Sequence, residues 1–264
     1  MPKSLNSNPD IFSAVKTGDS KEIENIINKT NVNAKNNIGI TPLQLAVFGG
    51  KVAMVQMLIK KGADVNAYSN GGWTALMLAI EKGQAEIVDI LIKNGAKVDI
   101  RDVAGQTTPL MWAVQYEQPK IVRMLTDNGA DVNAKAKDGQ TALMWAAKNG
   151  YVEIAKLLIS KGAKVNVADD LINFTPLILA AAIGSLELTK LLLSKHADIN
   201  AKTAYGQTAL MWAALKGQFG VVKFLVNKSA DMKIRDDDDN TIFKLAQLSK
   251  NKELVAFLTK IEQS

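Results

Sequence analysis

The sequence contains no cysteine and a single histidine, and these two shortages exclude several chemistries. Without cysteine there are no disulfides, no thiolate metal sites and no cysteine nucleophile. A Ser-His-Asp arrangement would have to use His196, which stands where a helix-ending glycine is expected. No phosphate-binding loop and no HExxH motif occurs either. We therefore expect no enzyme activity, no cofactor and no metal site.

Long apolar runs are also missing, although 47% of the residues are hydrophobic. No run approaches the ~18 residues that a transmembrane helix needs, so no membrane insertion is expected. Residues 1–8 lack the apolar stretch of a signal peptide. We expect a cytoplasmic location by default, and a periplasmic or secreted one if a signal peptide precedes this sequence.

The charge balance is basic, with 32 Lys and Arg against 26 Asp and Glu and a net charge of +6. Such a chain can attract nucleic acid or an anionic surface. Many of the lysines, however, stand in the last turns of predicted helices, where a positive charge is favourable. No recognition helix, basic tail or run of Lys and Arg supports nucleic-acid binding, so it stays an alternative.

Four consecutive aspartates, residues 236–239, form the one strong charge run. A calcium-binding loop needs alternating oxygen ligands, a glycine and a distal bidentate glutamate. None of that pattern is present, so the run predicts a solvated turn.

The most frequent feature of the chain is one repeated sequence motif. A threonine opens it, leucine follows two residues later, and the threonines recur at intervals of 33 or 34 residues: Thr41, Thr74, Thr108, Thr141, Thr175 and Thr208. A fixed period of this length indicates an array of one supersecondary unit. Such arrays usually bind other molecules and rarely carry out chemistry.

One copy shows what each unit should form. Thr141 is the predicted N-cap of a short apolar helix, which Gly150 ends in a left-handed conformation. A second helix begins near Glu153, and Gly162 ends it. An extended stretch then leads to the turn of the next copy.

The chain resembles the ankyrin-repeat family. The motifs that carry the resemblance are T-P-L-x-x-A, G-x-x-E-I-V-x-x-L-L and G-A-D-V-N-A, and they recur over residues 8–260. The sequence Thr-Ala-Leu-Met-Trp-Ala is similar to the corresponding sequence of bacterial members. The resemblance implies an all-α solenoid of stacked helix-turn-helix units with projecting β-hairpin loops and about eight repeats.

These repeats define the expected organisation of one elongated domain. Residues 1–7 are expected to form a flexible tail, 8–38 an N-capping repeat, 39–239 six full repeats and 240–264 a C-capping repeat. Two repeats carry an extra residue in the hairpin, near 105–107 and 168–172, where an insertion costs least. Pro119 fits the first turn of a second helix. His196 and Ser229 replace the terminal glycine and are predicted to take positive φ.

Family members usually meet their partners through the hairpin tips and the outer ends of the first helices. The residues of this chain that the resemblance assigns to that surface are Ile40, Phe48, Tyr68, Trp73, Lys82, Arg101, Tyr116, Lys148, Phe174, Ile183, Tyr205 and Lys216. Aromatic residues interleaved with Lys and Arg suit a protein-binding surface. Trp112, Trp145 and Trp212 share one repeat position and are predicted to be core, with a base-stacking platform as the alternative.

The sequence thus predicts a monomeric, non-catalytic module that binds a partner protein. The alternatives are binding of nucleic acid or an anionic surface through basic groove residues, and a structural scaffold in the periplasm or at the cell surface.

Overall fold

The computed structural model describes residues 11–18, 20–27 and 31–263, and the predicted tail at residues 1–7 lies outside these ranges. The chain divides into two compact units, Met1–Ala130 and Asp131–Ser264. In the described ranges the regular structure is helical and no strand occurs. None of the helices described there is long and apolar enough to span a bilayer.

Each unit consists of helix pairs, in which a first helix is followed by an antiparallel second helix. The N-terminal unit contains α1 (Ile11–Thr17), α2 (Ser20–Ile27), α3 (Pro42–Phe48), α4 (Val52–Lys60), α5 (Ala75–Glu81), α6 (Ala85–Lys93), α7 (Pro109–Gln115) and α8 (Pro119–Asp127). The C-terminal unit contains α9 (Ala142–Asn149), α10 (Val152–Ser160), α11 (Pro176–Ala182), α12 (Leu186–Ser194), α13 (Ala209–Leu215), α14 (Phe219–Asn227), α15 (Ile242–Leu248) and α16 (Lys252–Glu262).

The repeated threonines begin the first helices, as predicted. The hydroxyl of Thr141 accepts a hydrogen bond from the Met144 amide, which would otherwise lack a partner in the first turn. The same cap forms at Thr41, Thr74, Thr108, Thr175, Thr208 and Thr241. Pro119 lies in the first turn of α8, where its missing N–H costs nothing.

The predicted left-handed helix ends are confirmed. Gly150 ends α9 with φ +77, and Gly162 follows α10 with φ +92. His196 and Ser229 occupy the position of Gly162 in later repeats and take φ +63 and +60. These two residues therefore carry a backbone strain that glycine would not.

Small side chains set the spacing between neighbouring first helices. Ala146, Ala180 and Ala213 are completely buried in the C-terminal unit, where α11 packs against both α9 and α13. Leu143 and Leu210 fill the space beside them. Because the alanines allow close approach, the first helices of successive repeats stack into one layer within the unit.

Asparagines in the extended stretches link successive repeats. The Asn166 side chain donates to the His196 carbonyl at 3.0 Å and accepts from the Asp198 amide at 2.8 Å. Asn133 makes the same pair of bonds with Gly162 and Lys164, at 3.0 and 2.8 Å. Each asparagine thereby holds the loop of the following repeat.

The segments before the first helices form closed turns in place of the predicted β-hairpins. We call these segments tips; in the described part of the chain they are residues 36–40, 69–73, 102–107, 136–140, 169–174, 203–207 and 236–240. Within each tip, one backbone hydrogen bond joins its first residue to its last, as from the Thr203 amide to the Gln207 carbonyl at 2.8 Å. The backbone bonds within a tip do not extend into a ladder, and the described tips contain no strand.

Candidate functional site

The predicted partner residues fall on one kind of surface in each unit. The N-terminal tip face comprises Ile40, Phe48, Tyr68, Trp73, Lys82, Arg101 and Tyr116, which lie on tips, adjoining loops or the ends of first helices. The C-terminal tip face comprises Lys148, Phe174, Ile183, Tyr205 and Lys216.

A polar side chain at the base of a tip closes the turn. The buried Asp169 carboxylate accepts from the amides of Leu171, Ile172 and Phe174 at 3.0 to 3.3 Å. Asn36, Ser69, Asp102, Thr203 and Asp236 accept tip amides in the same way. These hydrogen bonds satisfy backbone groups that a tight turn leaves free, so the tips are held in shape.

Backbone hydrogen bonds also join neighbouring tips within a unit. The Ala204 amide donates to the Ile172 carbonyl at 2.8 Å, and the Asp170 amide donates to the Asp138 carbonyl at 3.0 Å. The tips of the C-terminal unit therefore form a continuous row.

Three aromatic rings stack on the N-terminal tip face. The ring centroid of Trp112 lies 5.1 Å from that of Trp73 and 5.8 Å from that of Tyr116. The Trp112 indole N–H donates to the Asp102 carboxylate at 3.1 Å. Asp102 thus both closes its tip and orients the central ring of the stack.

Charged groups border this stack. The Lys82 ammonium lies 4.7 Å from the Phe48 ring centroid and 3.7 Å from the Glu81 carboxylate. Burial raises the pKa of the Tyr116 phenol above its ordinary value, and the negative charge of Glu81 raises it further. The phenol therefore stays protonated at neutral pH and can donate a hydrogen bond to a ligand.

The C-terminal tip face has a smaller aromatic cluster with its own cation. The ring centroids of Phe174 and Trp212 are 5.2 Å apart, and the Lys216 ammonium lies 5.8 Å from the Trp212 ring. Among the described residues, none accepts a hydrogen bond from the buried indole nitrogen of Trp212. Thr203 occupies the place that Asp102 has beside Trp112, and its hydroxyl accepts tip amides.

The predicted anchors differ in exposure. Phe48 is 60% exposed, Tyr205 56% and Ile183 42%, which is unusual for large apolar side chains. Trp73 and Phe174 are half-buried because the neighbouring tryptophans cover part of their rings. Tyr68 and Tyr116 are each 37% exposed.

The prediction that Trp112, Trp145 and Trp212 belong to the core is wrong. All three are half-buried, whereas the residues beside them in the helices are fully buried. Trp112 and Trp212 instead complete the aromatic clusters of the tip faces. Their position four residues before Tyr116 and Lys216 signals this placement, because residues four apart share one helix face.

Two other exposed apolar side chains of the tips were not predicted from the sequence. Val103 is 71% exposed and Leu171 68%, and both lie in the two tips that carry an extra residue. Each of these tips has a left-handed residue before its last residue, Gln106 or Asn173, where most of the shorter tips have glycine. The base residue Asp102 was also missed, because a single aspartate in a loop has no distinctive pattern.

The chemistry available at these faces is binding chemistry. Within the described ranges, no group of three or more His, Asp or Glu side chains is arranged to hold a metal ion. Aromatic rings, lysine ammonium groups and the Tyr116 phenol offer apolar area, positive charge and a hydrogen-bond donor. These are the contacts that central residues of protein interfaces make.

Comparison with known proteins gives a consistent result. The family model described as ankyrin repeats (3 copies) matches residues 11–102, 103–169 and 177–263. A crystal structure of the ankyrin repeat domain of Bcl-3, described as a unique member of the IkappaB protein family, is similar with a TM-score of 0.73. It is 29% identical, and the match covers 84% of this chain and 99% of that one. No curated protein matches the chain.

Proposed function

Because this chain belongs to the ankyrin-repeat family, whose repeats are generally protein–protein interaction modules, we propose that it is a non-catalytic module that binds a partner protein through its tip faces. The exposed aromatic side chains carry the proposal. Phe48 and Tyr205 are more than half exposed, so most of their area adds little to folding stability, whereas aromatic anchors buried by a partner dominate the binding energy of interfaces.

The surrounding structure supports the same reading. Within each unit, the tips are closed by their own hydrogen bonds and the aromatic rings are held against one another. A partner would therefore meet a surface that needs little rearrangement.

Affinity capture with tip-face variants tests the proposal. The intact chain would be used to capture partners from cells that make it, and the captured proteins quantified by mass spectrometry. Phe48→Ala or Tyr205→Ala should weaken the binding of a specific partner by about 2 kcal/mol, which is roughly a thirtyfold loss of affinity, because an anchor is lost. Both residues are too exposed for the change to alter the melting temperature much.

Phe224→Ala provides the matched control. Phe224 is a half-buried aromatic residue of the second helix α14, with lysine ammonium groups 5.7 and 5.9 Å from its ring. This variant should keep the captured proteins. Equal loss in all three variants, or no loss in the tip-face variants, would show that the tip faces are not the binding surface.

A further inference from the structure

The first helices of the C-terminal unit carry no acidic residue. Helices α9, α11, α13 and α15 contain neither Asp nor Glu, while Lys148 lies in α9 and Lys244 in α15. Lys216 follows α13 directly. In the N-terminal unit, by contrast, Glu81 lies within α5 and pairs with Lys82.

Lys148 and Lys216 are exposed and have no acidic partner within the described part of the chain. Both stand at helix ends, where a positive charge interacts favourably with the last carbonyls. That local effect does not neutralise the ammonium groups, so they remain available to a ligand.

Most acidic side chains that face these helices from the tips are already engaged. Asp170 pairs with Lys135 at 2.8 Å, and Asp239 pairs with Arg235 at 2.9 Å. Asp138 accepts the Gln140 amide, and Asp169 and Asp236 are buried at the bases of their tips. Asp237 and Asp238 are exposed at the last tip of the unit, where the Asp237 amide donates to the Tyr205 carbonyl at 3.1 Å, and neither carboxylate pairs with Lys148 or Lys216 among the described residues.

Apolar side chains lie in the same row as the two lysines. Ile183 follows α11, in the repeat between those of Lys148 and Lys216, and its side chain reaches toward Gly150, where a Cβ atom would lie 3.3 Å from its end. Phe174 and Trp212 lie beside Lys216. The C-terminal tip face therefore has apolar side chains next to its two exposed lysines.

We infer that the C-terminal tip face binds an extended acidic segment of a partner protein, in which carboxylates pair with Lys148 and Lys216 and apolar side chains cover Ile183, Phe174 and Trp212. This inference rests on the proposed function and adds the chemistry of the partner. Charge complementarity selects the acidic segment, because a basic one would meet two uncompensated ammonium groups.

The repeat geometry sets the spacing of the acidic residues. Helices pack ~8–10 Å apart, so Lys148 and Lys216, two repeats apart, are separated by on the order of 20 Å. An extended chain spans that distance with about six residues. The preferred segment therefore carries carboxylates about six positions apart, with apolar residues between them.

Trp212 adds a hydrogen-bond donor to the same site. An unpaired buried N–H destabilises the free protein, so an acceptor from the bound segment would relieve that cost. The Lys216 ammonium lies 5.8 Å from the centre of the same ring, so a carboxylate that pairs with Lys216 comes close to the indole.

Selection from a displayed library of random peptides, about twelve residues long, tests the chemistry. The intact chain is the bait, and enriched peptides are synthesised and their affinities measured by fluorescence anisotropy. We expect enrichment of Asp and Glu together with aromatic or branched apolar residues. Replacing the acidic residues of an enriched peptide by their amides should weaken binding about tenfold or more.

Two double variants, each of which removes two positive charges, test where the peptide binds. Lys148→Gln/Lys216→Gln should weaken the enriched acidic peptide about tenfold or more. The control Lys164→Gln/Lys195→Gln removes two exposed lysines of the same unit from a loop and the end of a second helix, and should change affinity less than about twofold. Trp212→Phe keeps an aromatic ring, although a smaller one, and removes the donor, and should weaken binding about fivefold.

The outcomes separate the inference from the proposed function. Equal weakening by both lysine pairs would overturn the inference, because it would reflect net charge alone. Enriched peptides that are neutral or basic, and that lose affinity in Tyr205→Ala, would overturn it but leave the proposed function intact. A single-stranded oligonucleotide that binds tighter than any peptide and depends on Lys148 and Lys216 would replace the acidic segment with nucleic acid. If no peptide is enriched and affinity capture is unchanged by the tip-face variants, both fail.

Discussion

Glycines with the same left-handed backbone differ in what surrounds them. Gly162 has φ +92 and nothing within 4 Å of the position that a Cβ atom would take. At Gly139, with φ +80, a Cβ atom would collide with the backbone and side chain of Asp170 in the next tip. Gly162 is needed for its conformation alone, whereas Gly139 also allows two tips to approach.

Alanine substitutions should separate these two requirements. Gly162→Ala should lower the free energy of unfolding by about 1 kcal/mol, the cost of a left-handed residue with a side chain. Gly139→Ala should cost roughly twice as much or more, because the neighbouring backbone must also shift. Urea unfolding of both variants measures the difference. Equal losses would mean that the tips are not in close contact.

The Asp236 carboxyl is buried at the base of the last tip. Burial raises its pKa, but hydrogen bonds from the side chain and amide of Asn240, the side chain of Gln207 and the amide of Asp238 outweigh it, so the pKa lies below the ordinary value. A carboxyl whose pKa is lower in the folded state stabilises the fold above its unfolded pKa. That stabilisation is lost as the pH falls through the folded value.

Stability measured at neutral pH and at about pH 3 therefore tests Asp236. Asp236→Asn should show a smaller loss of stability on acidification than the unchanged protein. Asp238→Asn, at an exposed neighbour in the same tip, should behave like the unchanged protein. The urea midpoint at each pH is the measurement, and an identical pH dependence in all three proteins would contradict the role given to Asp236.

Each first helix has one face that is buried in the core and another that is only half-buried. In α9, Leu143 is 1% exposed, whereas Trp145 is half-buried. The larger residue thus contributes less of its area to the core than its size suggests. The same division recurs in α7 and α13.

Two truncations in α9 compare these faces. Leu143→Ala should cost ~2–5 kcal/mol, because it leaves a cavity in a closed core. Trp145→Ala should cost less, although it removes more atoms, since part of the ring already faces water. Thermal melting of both variants gives the order. A larger loss of thermal stability in Trp145→Ala than in Leu143→Ala would show that Trp145 belongs to the core.

The sequence predicted the helices better than the segments between them. Thr141 and Gly150 mark the ends of α9 through local chemistry, so their roles can be read without tertiary structure. Whether Trp212 lies in the core or at the surface depends on how closely the next repeat covers it. The hydrogen bond from Trp112 to Asp102 joins a helix residue to a tip residue, and no local sequence pattern predicts it.

Repeats within a unit are coupled by a small number of polar links besides their apolar contacts. Asn166 joins two successive repeats through two hydrogen bonds, whereas Asn149 bonds only to the Trp145 carbonyl of its own helix. In repeat arrays, stability depends on the interfaces between neighbours as well as on each repeat.

Asn166→Ala and Asn149→Ala make the same chemical change at these two places. Asn166→Ala should lower stability by about 1–2 kcal/mol and broaden the urea transition, because a weaker interface lets repeats unfold separately. Asn149→Ala should cost less than about 0.5 kcal/mol and keep a sharp transition. Broadening in Asn149→Ala alone would argue against the asparagine links as the source of coupling.

Under the proposed function, the closed tips would also determine how fast a partner binds and how much conformational entropy binding costs. Their amides are satisfied by their own base residues and, within a unit, by neighbouring tips, so they lose little conformational entropy when a partner arrives. Association then needs no folding step, and its rate depends on encounter and orientation. Differences in affinity among partners would consequently appear in how long each complex lasts.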